Sequence, residues 1–180
     1  MDDGPARAGP SRVYPVRIGE VAAMTEWQPT SRLCFVCGRE NPVGLKVRWE
    51  NDREAGEIRG SVEVPEHFNS YPGVVHGGVV AAVLDETAGR ALLLQGGPDD
   101  LMMTLKLEVA YRRLTPTATP LKLVGRLRRR TASRAEAEAE LRLPDGTVSA
   151  SATVLLVRPP ESITSRWADE RPYWKVVDTP

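Results

Sequence analysis

One long apolar segment constrains the fold of this chain more than any other feature. Residues 77 to about 95 are rich in alanine and valine, and Gly96-Gly97-Pro98 follow them as helix-stopping residues. The length of the segment and these end signals predict one α-helix rather than a strand. Because the helix is apolar almost all round, we expect a sheet or a second subunit to cover it on several sides.

Strand patterns flank this predicted helix on both sides. Residues 45–52 and 57–64 alternate between apolar and polar side chains, and Glu54-Ala55-Gly56 between them suits a hairpin turn. Four longer alternating runs follow the helix, and Asp145-Gly146 is a strong hairpin signal between the last two. These runs are 104–112, 121–127, 134–143 and 147–157. The order predicts an α+β fold with one long helix on an antiparallel sheet of about six strands, without βαβ units.

Composition argues against several classes of partner. The chain has 24 Lys and Arg and 24 Asp and Glu among 180 residues, so its net charge of zero creates no global field for nucleic acid or an anionic membrane. No apolar segment approaches the roughly 20 residues of a membrane span, and the first residues lack the features of a secretory signal. We therefore expect a cytoplasmic protein with no nucleic-acid and no membrane partner.

The two ends of the chain differ from its periodic middle. Residues 1–32 are rich in proline, glycine and charge, which predicts a flexible or loosely packed arm, and the elements described above fall within 33–158. The tail, 159–180, opens with two prolines that would end a strand and carries three aromatic residues. These aromatic residues are Trp167, Tyr173 and Trp174, and they indicate docking on this chain or on a partner subunit.

The only cysteines, Cys34 and Cys37, form a CxxC motif. Two cysteines make half of a tetrahedral zinc site, and no nearby motif completes it. A packing role is favoured, with zinc shared between two subunits or a redox switch as alternatives. We therefore predict no metal and no cofactor.

The start of the predicted helix suits an anion. Its first N–H groups lack partners within the helix, and the helix dipole adds partial positive charge, so a developing oxyanion would be stabilised there. Gly77 and Gly78 would let a ligand approach this backbone, although the same glycines also suit a tight loop-to-helix junction. His76 precedes them and could polarise a carbonyl, act as acid and base, or cap the first turn.

An acidic pair, Asp85 and Glu86, lies inside this apolar helix. The neighbours of Asp85 on its helix face are nearly all small, so the carboxylate lies in a shallow groove that can admit a substrate. These neighbours are Gly78, Ala81, Ala82, Ala88, Gly89 and Leu92. A buried carboxylate costs several kcal/mol unless it is compensated, which favours a functional role over a surface position or a pairing with arginine. Glu86 has bulkier neighbours and Arg90 four residues later, and we interpret it as structural or interfacial.

Polar residues on the predicted strands supply further candidates. Thr104 heads the first long strand on the face opposite Leu105 and Leu107, where its hydroxyl could orient a water molecule. Arg128 and Arg130 belong to an arginine cluster around a hairpin, which suits either protection of a sheet edge or a phosphorylated ligand. There is no serine nucleophile elbow, and neither cysteine has a histidine near it in sequence, so a serine or cysteine triad has no support.

Four stretches of the sequence carry a family resemblance. They are CFVCGRENPVGL, YPGVVHGGVVAAVLDETAG, TLKLEVAYRRL and PDGTVSASATVLLV. Together they resemble the hotdog-fold acyl-CoA thioesterases, specifically the PaaI-like group of the 4-hydroxybenzoyl-CoA thioesterase superfamily, over about residues 34–157. The resemblance implies a hotdog fold, in which a sheet wraps one long helix, and homodimers or homotetramers with active sites at the subunit interface. It also implies an acyl-CoA substrate.

The resemblance implies roles for four residues. Asp85, nine residues after His76, falls on the catalytic carboxylate, which either attacks the thioester carbonyl or activates water. Gly77 falls on a glycine whose N–H helps to form the oxyanion hole, with His76 beside it. Thr104 falls where relatives carry a serine or threonine that positions the hydrolytic water.

The substrate is expected to contact further residues. Some relatives have an asparagine six residues before the histidine; that position is Ser70 here, and Asn69 lies one residue earlier. The predicted substrate-binding residues are Asn69, Gly78, Ala81, Arg128 and Arg130. The predicted activity is hydrolysis of an acyl-CoA thioester to free acid and CoA. A thioesterase for acyl chains on a carrier protein, and a non-catalytic acyl-CoA binding module, are the alternatives.

Overall fold

A computed structural model describes residues 25–176, which form a large antiparallel sheet with one long helix packed against it. The strands are β1 (Glu26–Trp27), β2 (Arg48–Asp52), β3 (Glu57–Glu63), β4 (Asn69–Tyr71), β5 (Val74–Val75), β6 (Met103–Tyr111), β7 (Pro120–Arg130), β8 (Arg134–Arg142) and β9 (Val148–Val157). The α-helices are α1 (Gly77–Arg90) and α2 (Glu161–Thr164), and short 3-10 turns are formed by Glu66–Phe68, Ala91–Leu94, Pro98–Asp100, Ser165–Trp167 and Arg171–Tyr173. No helix in this part of the chain is long and apolar enough to cross a membrane.

The main sheet has seven strands in the order β1-β2-β3-β7-β8-β9-β6, and β4 and β5 form a separate two-stranded ribbon. The predicted α+β architecture is confirmed, with seven strands in the main sheet where about six were expected. The additional strand is β1, whose residues Glu26 and Trp27 pair with Asn51 and Glu50. These two residues belong to the predicted N-terminal arm, of which residues 1–24 lie outside the described part.

Small residues allow α1 to lie close to the centre of the sheet. The inward side chains of β8 and β9 are mostly alanines that are at least 96% buried: Ala135, Ala137, Ala139, Ala150 and Ala152. At Gly125 on β7, a Cβ atom would lie 2.7 Å from the carbonyl oxygen of Thr87 on α1. The predicted helix ran to about residue 95; α1 ends at Arg90, and the buried residues 91–94 tighten into a 3-10 turn.

Strand β6 forms one edge of the sheet and departs from the predicted alternation. Its register against β9 shifts between Thr104, which pairs with Leu156, and Lys106, which pairs with Leu155. Leu105 is therefore the extra residue of a β-bulge, and its side chain is 59% exposed. The prediction that Thr104 faces away from Leu107 is wrong, because the bulge turns Thr104 towards α1.

Residues 158–176, named here the C-terminal segment, dock on the domain of the same chain. The N–H of Thr30 donates to the carbonyl of Lys175 over 3.1 Å. Arg32 forms an ion pair of 2.6 Å with Glu170, and its guanidinium lies 4.1 Å from the centre of the Tyr173 ring. The described part of the predicted aromatic tail therefore packs on its own chain.

Candidate active site

The junction between β5 and α1 leaves one backbone donor available. The backbone of His76 is extended, its Nδ1 accepts the N–H of Gly78 over 3.0 Å, and its carbonyl accepts the N–H of Val79 over 2.9 Å. His76 thus caps the helix, which was one of its predicted roles. The N–H of Gly77 has no acceptor within residues 25–176, so it is free to donate to an oxyanion.

Tyr111, at the end of β6, fixes this helix start from the other side. Its hydroxyl donates to the carbonyl of Gly77 over 2.7 Å. A Cβ atom at Gly77 would lie 3.4 Å from the same hydroxyl oxygen, so the ring lies directly against the glycine. The sequence pattern does not indicate this role of Tyr111, because a contact between residues 34 positions apart leaves no mark on the periodicity.

Asp85 and Thr104, two of the predicted site residues, contact each other at the middle of α1. The Thr104 hydroxyl donates to Oδ1 of Asp85 over 2.7 Å. Burial raises the pKa of Asp85 above its usual value, the hydrogen bond from Thr104 opposes this rise, and the negative charge of Glu86 adds to it. Asp85 is therefore a stronger base than an exposed aspartate, and Oδ2 is not engaged by Thr104.

Within one chain, the Gly77 N–H and the Asp85 carboxylate are far apart. Gly77 and Asp85 are eight residues apart on α1, so they are about 12 Å apart along its axis at 1.5 Å per residue. The structure therefore brings His76, Gly77 and Tyr111 together at the helix start, and Asp85 and Thr104 together two turns later.

Arg90 is a buried cation beside this site that the sequence indicated only in part. Its side chain is 1% exposed, and its Nε donates to Oε1 of Glu86 over 2.9 Å, which confirms the predicted pair. Its Nη2 lies 2.9 Å from Sγ of Cys37, and its Nη1 donates to the carbonyl of Pro29. Arg90 thus links the helix to two loops that are distant in sequence.

Cys34, Cys37 and Glu86 form a cluster whose possible ligand atoms all lie within 4.8 Å of one another, and both thiols are free. The hydrogen bond from Cys34 and the charge of Arg90 lower the pKa of Cys37 to about 6, although burial opposes this change. The hydrogen bond to Cys37 and burial raise the pKa of Cys34. The Arg90 guanidinium contacts two members of this cluster, the Glu86 carboxylate and the Cys37 sulfur.

A cavity of about 840 Å³ opens beside Asp85. Asp85 and Thr104 lie on its wall, together with residues from the start of β6, the end of β9 and the C-terminal segment. Its lining includes Cys34, Met102, Leu156, Trp167 and Trp174. The carboxylate therefore faces a space of the size that small-molecule sites have.

The five predicted substrate-binding residues do not line this cavity in the described chain. They are Asn69, Gly78, Ala81, Arg128 and Arg130. Arg128 pairs with Glu138 and Arg130 with Asp100, so both guanidinium groups already have carboxylate partners. Asn69 lies exposed on β4. Contacts between these five residues and a substrate stay predictions.

Comparison with known proteins agrees with this architecture. Residues 72–150 match the family model of the thioesterase superfamily. A thioesterase superfamily protein of known crystal structure is 34% identical, with a TM-score of 0.64; the match covers 70% of this chain and 60% of that protein. A phenylacetic acid degradation-related protein from Ralstonia eutropha is 26% identical, with a TM-score of 0.56, over 63% of this chain and 85% of that one.

A third structure shares the fold at lower identity. It is a thioesterase protein from Streptococcus pneumoniae, solved with coenzyme A; it is 18% identical with a TM-score of 0.54, and the match covers 63% of this chain and 88% of that one. Comparison with curated proteins gave no match. Over residues 72–150 and in its helix-on-sheet architecture, this chain is thus similar to hotdog-fold proteins of the thioesterase superfamily, including PaaI-like proteins.

Proposed function

We propose that this protein is an acyl-CoA thioesterase that hydrolyses its substrate to a free acid and CoA. The observation that carries the proposal is the 2.7 Å hydrogen bond from Thr104 to Asp85 at the wall of a cavity of about 840 Å³. The streptococcal protein solved with coenzyme A supports the choice of thiol, because it has the same fold. A cytoplasmic location stays a prediction.

Asp85 would supply the reacting oxygen or the base. As a base, its free oxygen takes a proton from water, the water oxygen adds to the thioester carbonyl, and the carbon–sulfur bond breaks to release the CoA thiolate. As a nucleophile, Asp85 would first form a mixed anhydride that water then hydrolyses. The raised pKa of Asp85 suits the role of base, and Thr104 holds the carboxylate in place in both routes.

We also propose that two copies of the chain complete each active site. A thioester carbonyl cannot reach both the Gly77 N–H and Asp85 when they are about 12 Å apart on one helix. Gly77 of a second copy would close this gap. The open edge of β6 fits such a contact, because Met103, Leu105 and Tyr111 on it are between 43% and 59% exposed. The assembly would be a homodimer or a pair of homodimers.

The role of Asp85 is tested by measuring release of free CoA thiol from a panel of acyl-CoA esters. We expect Asp85→Asn to lower kcat/KM by about 10²-fold to 10⁴-fold, as loss of a general base does. Glu54→Gln is the matched control, since Glu54 is exposed in the turn between β2 and β3 and does not line the cavity. Equal activity of Asp85→Asn and the wild type would refute the proposed role.

The shared active site has a separate test. Gly77→Pro removes the proposed oxyanion donor at the first helical position, where proline is well tolerated, and should lower kcat by about 10²-fold to 10³-fold. Asp85→Asn and Gly77→Pro subunits, mixed after reversible dissociation, form one intact site in each mixed dimer. About a quarter of wild-type activity should return in a random mixture. No recovery despite proven subunit exchange would contradict the shared site.

The alternatives give different results in the same assays. A carrier-protein thioesterase would prefer the acyl group on its carrier protein to the same acyl group on CoA. A non-catalytic binding module would bind acyl-CoA without release of thiol. In a single turnover in ¹⁸O-labelled water, label in the Asp85 carboxylate identifies the nucleophilic route, because water has then attacked the carbonyl of Asp85 in the anhydride.

A further inference from the structure

The cavity beside Asp85 is built from two separate parts of the chain. One side consists of α1 and the residues around the start of β6. The other side comes from the C-terminal segment, which contributes Pro159, Thr164, Trp167 and Trp174 among others. The thioesterase family match covers residues 72–150, so this second wall lies outside the matched region.

Several contacts hold this wall in place. Arg32 binds Glu170 and stacks on Tyr173, and the backbone of Thr30 pairs with that of Lys175. Trp174 is fixed from the inside of the molecule, because the Arg90 guanidinium lies 5.1 Å from the centre of its ring. Since Arg90 also binds Glu86, the wall is connected through one buried side chain to the residue next to Asp85.

The position of the cavity indicates which part of a thioester it would hold. From Asp85 it extends along α1 past Glu86, Gly89 and Arg90, away from Gly77. Its apolar lining also includes Leu101, Met102, Met103 and Leu156. The cavity therefore continues from the proposed reaction centre into an apolar space.

The charges of the cavity disfavour the nucleotide of CoA. Three guanidinium groups and four carboxylates line it, and one of the carboxylates, Glu170, is paired with Arg32, so its formal charge is close to zero. These groups are Arg90, Arg158, Arg171, Asp85, Glu86, Asp99 and Glu170. Arg90 pairs with Glu86 and Arg171 with Asp99, so two of the three cations are already neutralised. A phosphorylated group would meet little net attraction here, whereas an uncharged acyl group would not be repelled.

We propose that the C-terminal segment forms the wall of the acyl pocket of its own chain, and that Trp167 limits the size of the apolar acyl group that fits. This inference rests on the proposed thioesterase function. Trp167 lies in the short turn Ser165–Trp167 and is half-buried against the cavity. Trp167 and Trp174 are the largest side chains in the lining, and truncating Trp167 enlarges the cavity without removing the contact of Trp174 with Arg90.

Trp167→Ala tests this inference on acyl-CoA esters of increasing length. The ratio of kcat/KM between a chain two to four carbons longer than the preferred one and the preferred chain should rise about tenfold or more, because a single methylene can change such ratios by that factor. Trp167→Phe should give a smaller shift in the same direction. Trp27→Ala is the matched control. Trp27 lies on β1, the Arg48 guanidinium lies 4.4 Å from the centre of its ring, and it does not line the cavity.

A binding assay makes the result independent of hydrolysis. Thioether analogues of the same acyl-CoA series bind without reacting, and calorimetry gives their order of affinity for the wild type and each variant. If the wild type releases no thiol but Trp167→Ala still shifts this order towards longer chains, the proposal that the C-terminal segment forms the acyl pocket is supported and the thioesterase proposal is refuted. If the wild type is active and both Trp167 variants keep its order of affinity for the acyl-CoA series, the proposed acyl pocket is refuted and the thioesterase proposal is retained. Trp167→Phe carries the test if Trp167→Ala does not fold.

Discussion

Replacement of Arg90 by methionine tests how much stability one buried cation contributes. The side chain of Arg90 is 1% exposed, and it hydrogen bonds to Glu86, to Cys37 and to the carbonyl of Pro29. Methionine fills a similar volume but offers no donor. Arg90→Met therefore leaves the Glu86 carboxylate, and a thiol whose pKa is about 6, without their cation.

The expected loss follows from the exposure of these partners. Removing one member of a buried ion pair costs about 3 to 5 kcal/mol. The Glu86 side chain is 27% exposed and can be partly rehydrated, so we expect the lower end, about 3 kcal/mol. At about 2 to 4 °C per kcal/mol for a domain of this size, Tm should fall by about 6 to 12 °C.

Urea denaturation and thermal melting of the variant measure this loss. The control is Arg128→Met, because the Arg128 side chain is 55% exposed in its pair with Glu138, and surface pairs contribute about 1 kcal/mol or less. A second substitution, Glu86→Gln, should restore part of the stability of Arg90→Met by removing the unpaired charge. If Arg90→Met costs no more than Arg128→Met, or if Glu86→Gln restores nothing, the electrostatic reasoning is refuted.

Three further substitutions test local features of the fold. Asp85→Asn should raise Tm by a few degrees at pH 7, because the raised pKa of Asp85 means that its ionised form destabilises the fold. This gain in Tm should vanish as the pH falls below the usual pKa range of carboxyl groups. A gain that stays constant with pH would contradict this cause. Gly125→Ala should cost about 1 to 3 kcal/mol in urea denaturation, since its Cβ would meet the Thr87 carbonyl oxygen at 2.7 Å; a neutral result would show that α1 can shift. Tyr111→Phe should lower the free energy of unfolding by about 0.5 to 1.5 kcal/mol, and it should lower kcat by loosening the helix start at Gly77. If neither the free energy of unfolding nor kcat changes, Tyr111 does not fix the helix start.

Features that repeat along the chain were predictable from the sequence. The alternating alanines of β8 and the hairpin at Asp145-Gly146 are local patterns, and both occur where they were expected. Asp85 stood out because a carboxylate among small residues is costly, and this cost has the same cause as its raised pKa. The pairing of Glu86 with Arg90 followed from helical spacing.

Contacts between distant residues were not predictable in the same way. Arg90 reaches Cys37 and Pro29 across 53 and 61 residues, and no spacing rule applies over such separations. The two-residue strand β1 is too short to show alternation, so its place in the sheet depends on pairing with β2. The sequence also did not show where Trp174 docks, because its ring contacts α1 through Arg90, which lies 84 positions earlier.

The bulge at Leu105 determines which face of β6 carries the Thr104 side chain. Thr104 and Tyr111 are seven positions apart, an odd number, so a regular strand would point them to opposite sides of the sheet. Both reach α1 because one extra residue lies between them. Deleting Leu105 would remove the bulge and leave Thr104 and Tyr111 six positions apart, so on a regular strand both side chains would still face α1. A sequence with a gap at this position can therefore keep both contacts on a regular strand, whereas one that pairs all its residues without a gap would turn the Thr104 hydroxyl away from Asp85.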